Sequence, residues 1–177
     1  MVGVLLGLWI TVACAAAGDI NPGQSSLIAT FLQQNAPIDA VFRRYSGSVT
    51  YDPTKPAGTV ASLAVDMNSL DVGDEDTNAE VRKSAWFDTA HFPQASFHTT
   101  TVRPGATGHL EVSGTLEIKG RTQNVSLVVS VASLDRGQAF DGKFEISRAA
   151  FGIGDPSWNG VLDDKVRIRF HLVVANP

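Results

Sequence analysis

The chain reads as a succession of segments in which apolar and polar positions alternate, the period expected of strands with one face buried and one face wet. Ser25 to Leu32 alternates loosely, with Leu27, Ala29 and Phe31 against Ile28, Thr30 and Leu32, and Asn35 and Pro37 end it. From Phe42 to Tyr51 the pattern sharpens, with Gly47, Val49 and Tyr51 on one side and Ser46, Ser48 and Thr50 on the other. Val60 to Leu70 sets Ala61, Leu63, Val65 and Met67 against Ser62, Ala64, Asp66 and Asn68. Gln94 to Val102 is extended, and Leu110, Val112, Gly114, Leu116 and Ile118 then alternate with five polar residues. Lys119, Gly120 and Arg121 make a tight connection into Val125 to Ala132. Phe140, Gly142, Phe144 and Ile146 continue the series, and the last segment opposes Val166, Ile168, Phe170, Leu172 and Val174 to Arg167, Arg169 and His171. About eight long strands with short links predict an all-β fold, an antiparallel sheet closed into an up-and-down barrel. An eight-stranded barrel encloses room for packed side chains or for one small ligand. Gly114 and Gly142 fall on the inward faces, where a missing side chain lets a strand bend or leaves space.

One stretch breaks the pattern. In Ser69 to Phe97 an acidic turn (Asp71, Gly73, Asp74, Asp76) precedes a short helical pattern, with Thr77 or Asn78 as candidate cap and Glu80 at capping-box spacing from Thr77. Val81, Ala85 and Trp86 share one side of this helix, and Pro93 returns the chain to extended geometry. Trp86, Phe87 and Phe92 are placed to cover one end of a barrel as a lid.

The N-terminus changes the picture of residues 1–17 only. Val2 to Ala17 is apolar or small and ends in Ala13, Cys14, Ala15, Ala16 and Ala17, which reads as a cleaved secretory signal peptide ahead of a domain over residues 18–177 and places the protein in the periplasm or outside the cell. Cys14 is the only cysteine, so the mature domain has no disulfide; the order Thr11 to Cys14 loosely resembles a lipoprotein cleavage site, which would anchor the chain by a lipid on Cys14. The net charge of −4 provides no basic footprint for nucleic acid.

Candidate chemistry is sparse. No serine lies in a G-x-S-x-G elbow, and the carboxylates of residues 71–76 read as a solvated turn, so no catalytic residue is assigned. His91, His98, His109 and His171 have no metal-ligand spacing, and neither a metal nor a cofactor is expected. The Gly152 to Gly154 segment opens no helix and does not suit a phosphate. Arg148 extends the inward series Phe140 to Ile146 by one step, where it either pairs with a carboxylate or backbone carbonyls at the barrel rim or meets a polar head group.

Five motifs in order carry a family resemblance: F-x-x-Y-x-G (Phe42, Tyr45, Gly47), D-M-N-S-L-D (Asp66 to Asp71), W-F-D-T-A-H-F-P-Q-A-S-F (Trp86 to Phe97), G-T-L-E-I-K-G (Gly114 to Gly120) and R-A-A-F-G-I-G (Arg148 to Gly154). Over residues 25–174 the chain resembles the YceI-like family of lipocalin-like, polyisoprenoid-binding proteins. The resemblance implies an eight-stranded barrel with a short helical insertion, no catalysis, and an amphiphilic lipid (polyisoprenoid, isoprenoid quinone or fatty-acid-like molecule) held without covalent attachment. On that reading Phe42, Leu63, Val65, Phe97, Phe144, Ile146 and Phe170 line the interior, and Tyr45 or Arg148 lies near a head group. Trp86–Phe87 and the Trp158–Asn159 pair resemble the branch associated with cytochrome b561, so the alternative is a non-catalytic accessory module docking to a membrane redox partner, with a filled interior.

Overall fold

A computed structural model describes residues 16–106 and 108–175. Its strands are β1 (Ala16–Asp19), β2 (Ser26–Gln33), β3 (Ala36–Phe42), β4 (Tyr45–Tyr51), β5 (Val60–Asp66), β6 (Leu70–Asp71), β7 (Gln94–Pro104), β8 (His109–Ile118), β9 (Arg121–Leu134), β10 (Gly137–Ser147) and β11 (Leu162–Ala175), with one α-helix, α1 (Glu75–Val81). All belong to a single antiparallel sheet in the order β1-β4-β5-β7-β8-β9-β10-β11-β2-β3-β6. Sequence alternation predicts eight strands where the described residues form eleven. The difference is local, because β1/β2, β3/β4 and β5/β6 are each one pass of chain interrupted by a kink, so eleven segments make eight passes.

The first pass closes the sheet. β2 pairs with β11 on one side and β3 on the other, β1 pairs with β4, and Ile20 between them bridges to Val174. Of the leader predicted over residues 1–17, all but Ala16 and Ala17 lies outside the described residues; those two open β1, opposite Tyr51 and Thr50. Residues 36–41, which lie between the strand that Asn35 and Pro37 are expected to end and the one expected from Phe42, form most of β3. The chain reverses through Gln34 and Asn35, both at positive φ (50° and 66°), and Pro37 pairs with Leu32 two residues into the strand. Lys119 and Gly120 make the same kind of two-residue reversal (φ 51° and 68°), as the tight connection expected there requires.

The β5/β6 kink is held by side chains that replace missing ladder bonds. Asp66 accepts from the Asn68 N–H at 2.9 Å, while the buried Ser69 hydroxyl accepts from the Arg44 N–H (3.0 Å) and donates to the Asp66 carbonyl (2.6 Å). On the outer face Arg167, Arg169 and His171 meet Glu145 (3.4 Å), Asp39 (3.0 Å) and Asp141 (2.7 Å) across strands; such exposed pairs are worth about 0–1 kcal/mol each.

The helical insertion starts earlier than its sequence suggests. Asp74, not Thr77 or Asn78, is the cap, its carboxylate accepting from the Thr77 N–H at 2.8 Å. Asn78 is buried and stitches the preceding turn, accepting from the Val72 N–H (2.9 Å) and donating to Asp71 (3.1 Å). Asp71 also receives the Arg43 guanidinium (2.9 Å) and the Gly73 N–H (2.8 Å). These donors, the Arg43 guanidinium foremost, hold its carboxyl down at about 2. Because the unfolded chain takes up that proton first, near pH 3.8, the stabilisation is complete above that pH and is lost as pH falls through about 2. An NMR titration is expected to find Asp71 still ionised at pH 3, and Asp71→Asn should flatten the loss of stability between pH 4 and pH 2; an Asp71 titrating near its ordinary value would contradict this.

Candidate functional site

Inside the barrel lies a cavity of about 690 Å³. Its walls come from the inward parity of nearly every pass, and many of them, including Leu63, Phe97, Leu116, Phe144, Ile168 and Phe170, remain only partly buried although they point inward. A filled core would cover them. Phe42, Leu63, Val65, Phe97, Phe144, Ile146 and Phe170, singled out from sequence, all stand on this wall. A bulge between Thr99 and Thr101 changes the alternation of β7 and lets Val102 join it.

Two glycines keep the lumen open. A Cβ on Gly142 would lie 2.3 Å from the Phe170 ring, and one on Gly114 would lie 2.4 Å from the ring of Phe97, so each ring rests against a wall position that has no side chain. Gly142→Ala is expected to push the Phe170 ring into the lumen. A neutral fluorophore such as N-phenyl-1-naphthylamine should then bind about tenfold more weakly, while overpacking costs about 1–3 kcal/mol of stability. Unchanged dye affinity in the folded variant would show that Phe170 does not set the bore.

The two ends of the cavity differ. At one, the 52–59 connection folds beneath the barrel against β7, Thr59 is buried, and Tyr51 meets Phe140 edge to face at 5.5 Å. At the other, the lining residues Asp74, Asp76, Thr77, Trp158 and Asp163 are exposed, which makes this end the mouth. It is framed by α1 with the 82–93 segment, and by the 148–161 connection. Trp86 joins the two: it is buried, lines the cavity, donates its indole N–H to Glu80 (3.2 Å) and meets Trp158 at 5.6 Å. Phe87 lines the cavity beside it, whereas Phe92 lies outside, packed over the turn at Gly120. Lys119 ties the frame together from that turn, its ammonium donating to the carbonyls of Ser84 and Gly152 at 2.8 Å each; burial lowers its pKa.

Of the two rim candidates, Tyr45 is part of the packed core and absent from the cavity wall, and burial raises its pKa. Arg148 does line the cavity, yet it is only 5% exposed. Its guanidinium donates to the carbonyls of Asp163 (3.1 Å), Ile153 (3.0 Å) and Leu162 (3.1 Å) and to the side-chain oxygen of Asn159 (3.0 Å). Arg148 therefore builds the rim by bracing the 148–161 connection. Asp74 and Asp76 escaped the sequence reading as part of a site because a run of acidic turn residues is ordinarily a solvated surface, and Asp163 because only the fold brings the start of the last strand to the mouth.

Comparison with known proteins agrees with this geometry. The crystal structure of BcnA from Burkholderia cenocepacia is 35% identical, covering 87% of this chain and 98% of its own, with a TM-score of 0.85. A polyisoprenoid binding domain from Saccharophagus degradans, implicated in plant cell wall breakdown, shares the fold at 20% identity and a TM-score of 0.76 over 93% of this chain and 100% of its own. A UPF0312 protein of Enterobacter sp. (strain 638) is 29% identical over 133 residues, 72% of this chain and 69% of that protein. The model of the YceI-like domain matches residues 19–174, and the chain belongs to the YceI-like family.

Proposed function

We propose that this protein binds an amphiphilic lipid in its barrel and carries or stores it without catalysis. The observation that carries this reading is the hollow interior itself, a cavity of about 690 Å³ walled by apolar side chains and opening at one end. Binding pockets for small molecules typically measure about 300–1,000 Å³, with a few polar groups at fixed positions. Each ~100 Å² of lipid chain taken out of water contributes about 2.5 kcal/mol, so roughly 400 Å² of buried chain would offset much of the association cost of about 4–15 kcal/mol. The polyisoprenoid-binding domain that shares this fold supports an isoprenoid chain as the ligand's apolar part. The apolar leader supports export, which would place the carrier in the periplasm, between lipid-bearing membranes. An accessory module with a filled interior fits the cavity less well.

Organic extraction of protein purified from its native host, followed by mass spectrometry, tests the proposal. A lipid at close to one per chain is the expected result. An empty protein that also fails to take up N-phenyl-1-naphthylamine would overturn it.

A further inference from the structure

The mouth constrains the ligand's polar end, given the lipid-binding reading above. Among the described residues, four acidic ones, Asp74, Asp76, Glu80 and Asp163, line the cavity there, against one basic residue, Arg148. That cation is already engaged. Four of the five N–H groups of a guanidinium are accounted for by oxygens of the chain itself. Its Nη1 also lies so close to Gly154 that a Cβ there would stand 2.7 Å away. Lys119 spends its ammonium on two carbonyls and is not on the cavity wall. An anionic head group entering this mouth would find no free guanidinium fork to grip it and would face the carboxylates of Asp74, Asp76 and Asp163, none of which has a cationic partner among the described residues, whereas Glu80 is paired with the Lys83 ammonium at 2.5 Å. A head group bearing hydrogen-bond donors would find the opposite, since carboxylates only accept, and the side chains of Asp76 and Asp163 have no partner among the described residues.

We infer that the cavity selects amphiphiles whose head group is uncharged and carries a hydrogen-bond donor, a lipid alcohol or primary amide, and discriminates against phosphorylated or carboxylate-terminated chains. Asp74 and Glu80 are fixed acceptors, one capping α1 and the other holding Trp86 and paired with Lys83; Asp76 and Asp163 supply unengaged ones. The apolar wall sets chain affinity, and the mouth sets head-group sign.

The test compares geranylgeraniol with geranylgeranyl phosphate on the full protein, following the fluorescence of Trp86 and Trp158 at the mouth. The alcohol is expected to bind at least about tenfold more tightly at low salt, with the gap narrowing as ionic strength rises, because like-charge repulsion at an exposed mouth is screened. Asp76→Asn combined with Asp163→Asn, both at exposed positions, should narrow the gap at low salt mainly by improving the phosphate. Phosphate binding equal to or tighter than the alcohol's would overturn the head-group inference while leaving lipid binding standing. If neither compound binds, both readings fall together.

Discussion

Replacing Trp86 with Ala is expected to lower the stability of the barrel by about 3–5 kcal/mol and to speed the escape of a bound lipid. The stability loss follows from removing a buried ring that packs on Trp158 at 5.6 Å, and from leaving Glu80 without its indole donor. Faster escape follows from position, because Trp86 lines the cavity at the mouth and joins the two segments that frame it. Transfer of N-phenyl-1-naphthylamine from the protein to acceptor vesicles, followed by stopped flow, measures the second effect. Phe87→Ala should speed transfer as well, since Phe87 also lines the cavity. Phe92→Ala provides the contrast: its ring packs on the turn at Gly120 outside the lumen, so it should cost stability and leave transfer unchanged. Equal acceleration in the Trp86 and Phe92 variants would mean that transfer follows general loosening, and the lid assignment would fail.

Arg148→Met should cost about 3–5 kcal/mol, because it strands three carbonyls and the Asn159 side-chain oxygen at the rim. Arg148→Lys is expected to restore little of this. A single ammonium cannot reproduce a planar fork that reaches the carbonyls of Ile153, Leu162 and Asp163 together. Denaturant midpoints at unchanged m-value report the loss. Because the guanidinium is committed to the chain, the folded fraction of the Lys variant should still prefer geranylgeraniol to its phosphate. A Met variant within 1 kcal/mol of the parent would show that the 148–161 connection holds itself without this brace.

The strand series was legible in sequence wherever a strand has one apolar and one polar face, as in β8 and β11, since side-chain parity there is a local property of the chain. It failed where the local signal is ambiguous or outvoted. Pro37 looks like a terminator, yet it sits in β3 because the positive-φ pair Gln34–Asn35 has already reversed the chain. Thr77 has a capping-box partner in Glu80, yet Asp74 caps α1, and Glu80 turns to Trp86 instead. The seven wall residues were readable from parity and family resemblance together, but Tyr45 and Phe92 were not placed correctly by either. Their positions depend on the kink between β3 and β4 and on the turn at Gly120, both of which bring together residues distant in sequence.

By itself, then, the sequence determined the all-β class, the sides of the strands that face inward, and the insertion that interrupts them, because each follows from periods of two or from turn chemistry within a few residues. Only the tertiary structure decided that the inward faces enclose space, that the 52–59 connection closes one end while α1 and the 148–161 connection frame the other, and that Arg148 braces the rim. Those outcomes depend on the curvature of the closed sheet and on ring placements over Gly114 and Gly142, where a few ångströms separate a hollow barrel from a filled one.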